Sequence, residues 1–127
     1  MNPELQIEQA QRRIHHAEMM SAEAARLSEL AAQLMDVQRH WHEADRAARL
    51  SAALSSSRDV WTNIQTLLAA GTLTLPSDVQ HNLLILSVYA DSKTDHCASV
   101  PSINELGSLI ALTRTLAGSL KEWREAA

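Results

Sequence analysis

The sequence predicts an all-α protein, a compact bundle of four or five helices. Three features point there. Alanine and leucine carry the apolar load, while Phe is absent and Tyr occurs once; Ala and Leu lose little on entering a helix, whereas strands favour β-branched and aromatic residues. Apolar residues recur at steps of three and four through most of the chain. Gly71, Thr72-Leu73-Thr74-Leu75-Pro76 and the polar stretches near 40–45 and 91–100 punctuate these runs at helical intervals.

Between Glu4 and Trp41 the residues Leu27, Leu30, Ala31, Leu34, Val37 and Trp41 form one stripe. Ile7, Ala10, Ile14 and Ala17 mark a weaker one upstream, with a break or kink expected near Met20-Ser21. Asp45 is placed to cap the next helix, whose face holds Leu50, Ala53, Leu54, Ser57, Trp61, Ile64 and Leu68. Gly71 suits the position just past its end. Ser77-Asp78-Val79-Gln80 has the capping-box pattern. The helix it opens is apolar nearly all round from Leu83 to Ala90, as expected of an element that is central or touched on two sides. Asp91 to Val100 reads as a polar link. Ser102-Ile103-Asn104-Glu105 repeats the capping pattern and opens a last helix with two stripes. One runs Ile103, Leu106, Ile110, Thr113, Ala117, Leu120, and the other Leu109, Leu112, Leu116, Leu120, Trp123. The reading is of a single helical domain over 1–127, with its core helices in 45–125.

Composition narrows the function. A net charge of −4, with Lys93 the only Lys or Arg between Val60 and Thr113, leaves no basic stripe for phosphates. The single cysteine, Cys97, excludes an internal disulfide. No long uncharged apolar run is present, and Met1-Asn2-Pro3-Glu4 does not open a signal peptide, so a cytoplasmic location is expected. Asp36, His40 and Glu43 would share a helix face, but metal binding needs a converging partner set such as a second Glu-x-x-His, and none follows. Asp95-His96-Cys97 pairs a nucleophile with a base only in sequence, and the scattered glycines build neither an oxyanion hole nor a phosphate loop. The expectation is a protein that is not an enzyme and uses no metal or cofactor.

The feature that calls for a function is surplus apolar surface. If one stripe of the last helix faces the core, the other needs cover, and a foreign amphipathic helix could supply it. About six apolar side chains at ~2 kcal/mol each, less an association cost of at least ~4 kcal/mol, correspond to roughly micromolar affinity. The client-contact residues so predicted are Trp61, Leu68, Leu86, Tyr89, Leu109, Leu112 and Leu116. The competing reading is a homo-oligomeric scaffold whose free stripe is closed by a second copy.

From about Ala25 onward the chain resembles the FlaF family of flagellar biosynthesis regulators. The matching residues are Arg58-Asp59-Val60-Trp61-Thr62, Leu75-Pro76, Asn82-Leu83, Leu86, Thr94 and Leu109-Ile110-Ala111-Leu112-Thr113-Arg114 with Ala117, Gly118 and Leu120. The family often carries Phe or Trp where this chain has Val88-Tyr89-Ala90, and residues 1–24 match poorly. The resemblance implies an adaptor that binds unpolymerised flagellin through its terminal helices and assists its secretion and regulation, with the FlbT regulator and the export apparatus as further partners.

Overall fold

The computed structural model describes residues 2–73 and 75–126, with side chains through Trp123 except that of Thr74; Met1, Thr74 and Ala127 lie outside the described residues. Four helices follow one another: α1 (Pro3–Arg39), α2 (Arg46–Ala69), α3 (Ser77–Ser99) and α4 (Ile103–Ala126). Each packs on its sequence neighbours, and α4 closes the ring on α1. The links are short, as in an up-down-up-down bundle. Cross-helix contacts run antiparallel: Glu23 meets Asn63 and Asp36 meets Arg49 between α1 and α2, while Gly107 approaches Gln38 between α4 and α1.

Helix α1 is the departure from expectation. It runs unbroken through Met20-Ser21 for 37 residues, about 55 Å at 1.5 Å per residue. Its start is well specified, with Pro3 in the first turn and the Asn2 side chain accepting the Glu4 N–H at 3.0 Å. Beyond it lies a run without Gly or Pro, in which Ser21 does not stop a helix among Met, Glu and Ala. The other helices are 23 or 24 residues long. Residues 3–15, all exposed except half-buried Ala10, therefore project beyond the bundle.

The remaining helix ends obey local rules with two exceptions. Gly71 has φ +68, the left-handed conformation that a residue with a Cβ resists. Its N–H donates to Leu68 O at 3.1 Å and that of Thr72 to Leu67 O at 3.0 Å, the paired bonds of a Schellman ending. Ser102 caps α4 weakly, its hydroxyl 3.5 Å from the Glu105 N–H. Asp45, by contrast, makes no capping bond. Its carboxylate accepts from Arg49 Nε at 2.7 Å, which also holds its pKa below the usual value. Ser77 is the first residue of α3, with Pro76 before it as the cap position. Gln80 secures this start by donating its side-chain amide to Leu75 O at 2.7 Å.

The core is built from all four helices. Met20, Leu27, Leu30, Leu34 and Val37 of α1 meet Leu50, Leu54, Trp61 and Ile64 of α2, Leu83 of α3, and Leu106, Leu109, Ile110, Leu116 and Leu120 of α4. Two leucines of the α2–α3 link, Leu73 and Leu75, turn inward and join this cluster. The expectation that the last three helices form the core by themselves is thus corrected, because α1 supplies the largest cover for α4.

The second correction concerns α3. It does not end at Ala90 but runs to Ser99. Its buried stripe, Leu83, Ser87, Ala90, Thr94 and Cys97, keeps a four-three rhythm straight through the segment read as a polar link. Small hydroxyls are tolerated inside because their polar groups are satisfied. Ser57 Oγ lies 2.9 Å from Thr94 Oγ1, Thr94 donates to Ala90 O at 2.8 Å, and Ser87 donates to Leu84 O at 2.8 Å.

Candidate interaction surface

Of the seven residues predicted to touch a partner, three are interior. Trp61 and Leu109 have no exposed surface and Leu116 has 2 %. They sit in the shared core, with α1 lying over the stripe of α4 that seemed uncovered. They offer no surface to a client in this conformation. Leu112 is half-buried and packs on the same core, as does Trp123. The surplus on α4 inferred from periodicity is absorbed by the protein's own first helix.

The surplus on α3 is not absorbed. The narrow buried stripe of α3 leaves most of its circumference to solvent. Leu84, Ile85, Leu86, Val88 and Tyr89 are exposed by 42, 53, 37, 54 and 53 %. Five large apolar side chains within six residues make a contiguous patch of a kind that soluble proteins usually reserve for partners. Leu86 and Tyr89, both predicted, lie in it. Leu68, the third, is half-buried and lines a neighbouring groove of about 300 Å³ with Ala69, Ser77, Gln80, His81 and Leu84. Leu84 belongs to both, so groove and patch are continuous. Sequence reasoning missed Leu84, Ile85 and Val88 because a helix apolar all round does not reveal which side its neighbours take.

Charges frame this face. Lys93 donates to Glu105 at 2.8 Å, which lowers the Glu105 pKa and raises that of Lys93; its ammonium also sits 5.8 Å from the centre of the Tyr89 ring. The pair ties the far end of α3 to the start of α4 beside Tyr89. On the other flank, Arg58 Nε donates to Asp95 at 3.1 Å.

The other constellations resolve into structural roles. Asp36 accepts from Arg49 at 3.0 Å and lies 3.3 Å from His40 Nδ1, bracing the turn between α1 and α2, where Arg46 also stacks on Trp41 at 4.6 Å. Among the described residues no group of three or more His, Cys, Asp or Glu side chains is placed to hold a metal ion. Asp95, His96 and Cys97 fall on a helix and point apart: Cys97 is buried, while the other two are exposed. Burial pushes the Cys97 thiol up, away from reactive thiolate character.

One charged residue lies inside. Glu23 is 2 % exposed at the α1–α2 contact, where Oε1 accepts from Arg26 and from Asn63 Nδ2 at 2.8 Å. Oε2 has no partner among the described residues, and neither has Trp61 Nε1. Desolvation raises the Glu23 pKa, with Arg26 and Asn63 pulling the other way.

These features define a small four-helix bundle in which one helix presents an apolar face to solvent. Among the described residues no helix is long and apolar enough to cross a membrane. The family model described as flagellar protein FlaF matches residues 7–120, most of the chain, and the protein belongs to that family. The match takes in most of the segment whose motifs compared poorly, in keeping with an α1 that is part of the fold. Neither a curated protein nor a solved structure matches the chain.

Proposed function

We propose that this flagellar protein binds unpolymerised flagellin, holding its amphipathic terminal helices against α3, and assists flagellin secretion and regulation from the cytoplasm. The supporting observation is the exposed run Leu84, Ile85, Leu86, Val88 and Tyr89, continuous with the Leu68 groove, in a member of a flagellar family. A client helix laid along α3 would dock its i, i+3, i+4 side chains on this face. The FlbT regulator and the export apparatus are the further partners this role calls for. The role is one of binding, with no chemical step.

The test is co-elution with flagellin of the same organism. Replacing Ile85→Glu and Tyr89→Glu together removes two anchors, each worth about 1.5–3 kcal/mol of burial. A loss of at least about a hundredfold in affinity is therefore expected, with helical content unchanged because both side chains are exposed. A complex of undiminished affinity in this variant would refute the α3 face.

A further inference from the structure

One flank of α1 carries a pattern that its own bundle uses only in part, since Ala31 is 4 % exposed and Ala24 and Met35 are half-buried against the core, while the upstream positions are left over. Ile7, Ala10, Ile14, Ala17, Ser21, Ala24, Ser28, Ala31 and Met35 succeed one another at alternating steps of three and four. This is the heptad rhythm that keeps one seam facing a partner helix under a left-handed supercoil. The core-facing residues Met20, Leu27, Leu30, Leu34 and Val37 lie on the adjoining side, with buried Ala31 at the border between the two. Along the projecting arm the seam is bare, with Ile7 and Ile14 each 58 % exposed. Further along, it becomes one wall of an open groove of about 510 Å³, whose floor is the small residues of α1 and whose second wall is Arg114, Ala117, Gly118 and Lys121 of α4.

We infer that the occupant of this groove is the projecting arm of a second copy of the same chain, the two α1 helices pairing antiparallel. Length and shape argue for it. The arm free of the bundle spans residues 3–15 and the groove spans 21–35, so the two are of similar length. In an antiparallel pairing Ile7 faces Ala31, Ala10 faces Ser28, Ile14 faces Ala24 and Ala17 faces Ser21. Each isoleucine knob meets an alanine, and the arrangement repeats itself under a twofold axis, giving a closed isologous contact. A parallel pairing in register would set arm against arm and groove against groove, leaving the groove without the arm to fill it. Two helices overlapping over about 50 Å, with a contact strip about 10 Å wide, bury on the order of 1,000 Å² in total. That is at the threshold for a specific interface. The dimer is therefore weak, reversible and dependent on concentration.

Sedimentation equilibrium of the full chain, from low micromolar to several hundred micromolar, should show a monomer–dimer exchange. Ile14→Glu should weaken it at least about tenfold without loss of helicity, since the residue is exposed. Orientation is read by mild oxidation. An Ile14→Cys chain mixed with an Ala24→Cys chain should cross-link to each other, while Ile14→Cys alone should not; buried Cys97 does not compete. A wild-type chain that stays monomeric at every concentration, a dimer indifferent to Ile14→Glu, or self-cross-linking of the Ile14→Cys chain would each overturn the pairing. So would a monomeric wild-type chain whose flagellin complex is lost on Ile14→Glu, because the seam would then belong to the client. Loss of flagellin in the α3 variant with an intact dimer keeps the pairing and bears only on the client face.

Discussion

Helices α3 and α4 are both rich in leucine and isoleucine, yet they meet opposite fates. On α4 both apolar stripes are largely covered, because α1 lies along it for much of its length and α3 packs on the other side. On α3 the buried stripe is made, apart from Leu83, of small residues packed against α2, and the large side chains of Leu84, Ile85, Leu86, Val88 and Tyr89 face water. An apolar stripe therefore announces a partner only after the chain's own helices have been placed. A buried stripe can be poorer in large apolar residues than the exposed one beside it.

Substitutions sharpen this contrast in descending order of effect. Leu109→Ala or Leu116→Ala on the covered helix should lower unfolding stability by about 2–5 kcal/mol in denaturant titration. A cost under about 0.5 kcal/mol, the ordinary level for a surface position, would mean that α1 does not lie there. On the small-residue stripe, Ser57→Ala removes the buried bond to Thr94 and should cost about 1 kcal/mol. No change would show that α3 packs on α2 without that register.

Glu23 gives an effect of opposite sign. Burial raises its pKa, so the unfolded chain ionises it more readily, and its contribution to stability fades as pH rises from about its ordinary 4.5 through the higher folded-state value. Glu23→Gln should therefore stabilise the protein at neutral pH, by on the order of 1 kcal/mol, and remove that slope from a stability–pH curve. Glu105, held low by Lys93, acts in the other direction, its contribution present at neutral pH and lost as pH falls below about 4.5. A Glu23→Gln curve parallel to the wild type would show that the carboxylate is solvated. Smallest of all, Ile85→Glu with Tyr89→Glu should move stability by under about 0.5 kcal/mol per site while removing flagellin.

The helical class, the Gly71 ending and the Ser102 start were all readable in advance, since each rests on local chemistry that acts within a turn or two. So was the covered face of α2, where Leu50, Leu54, Trp61 and Ile64 recur cleanly and are buried. What periodicity could not reveal was allocation. The stripes of α4 and the all-round apolar body of α3 look equally in need of cover until it is known that the Met20–Val37 stretch of α1 packs along α4. The polar run from Asp91 to Ser99 concealed a buried edge, because Thr94, whose hydroxyl donates to Ala90 O, and Cys97 do not read as core among their polar neighbours. Hence Trp61, Leu109 and Leu116 proved interior, while Leu86 and Tyr89 stand where a partner could reach them.

The short passage between α2 and α3 does more than join them. With Leu73 1 % and Leu75 9 % exposed, it acts as a stopper driven into the base of the bundle. Lengthening it with a flexible spacer, or opening the chain there to make new termini, would unplug that end, whereas the exposed turn at 42–45 has no such anchor to lose. An engineer wishing to insert a label should choose the second corner and leave the first intact.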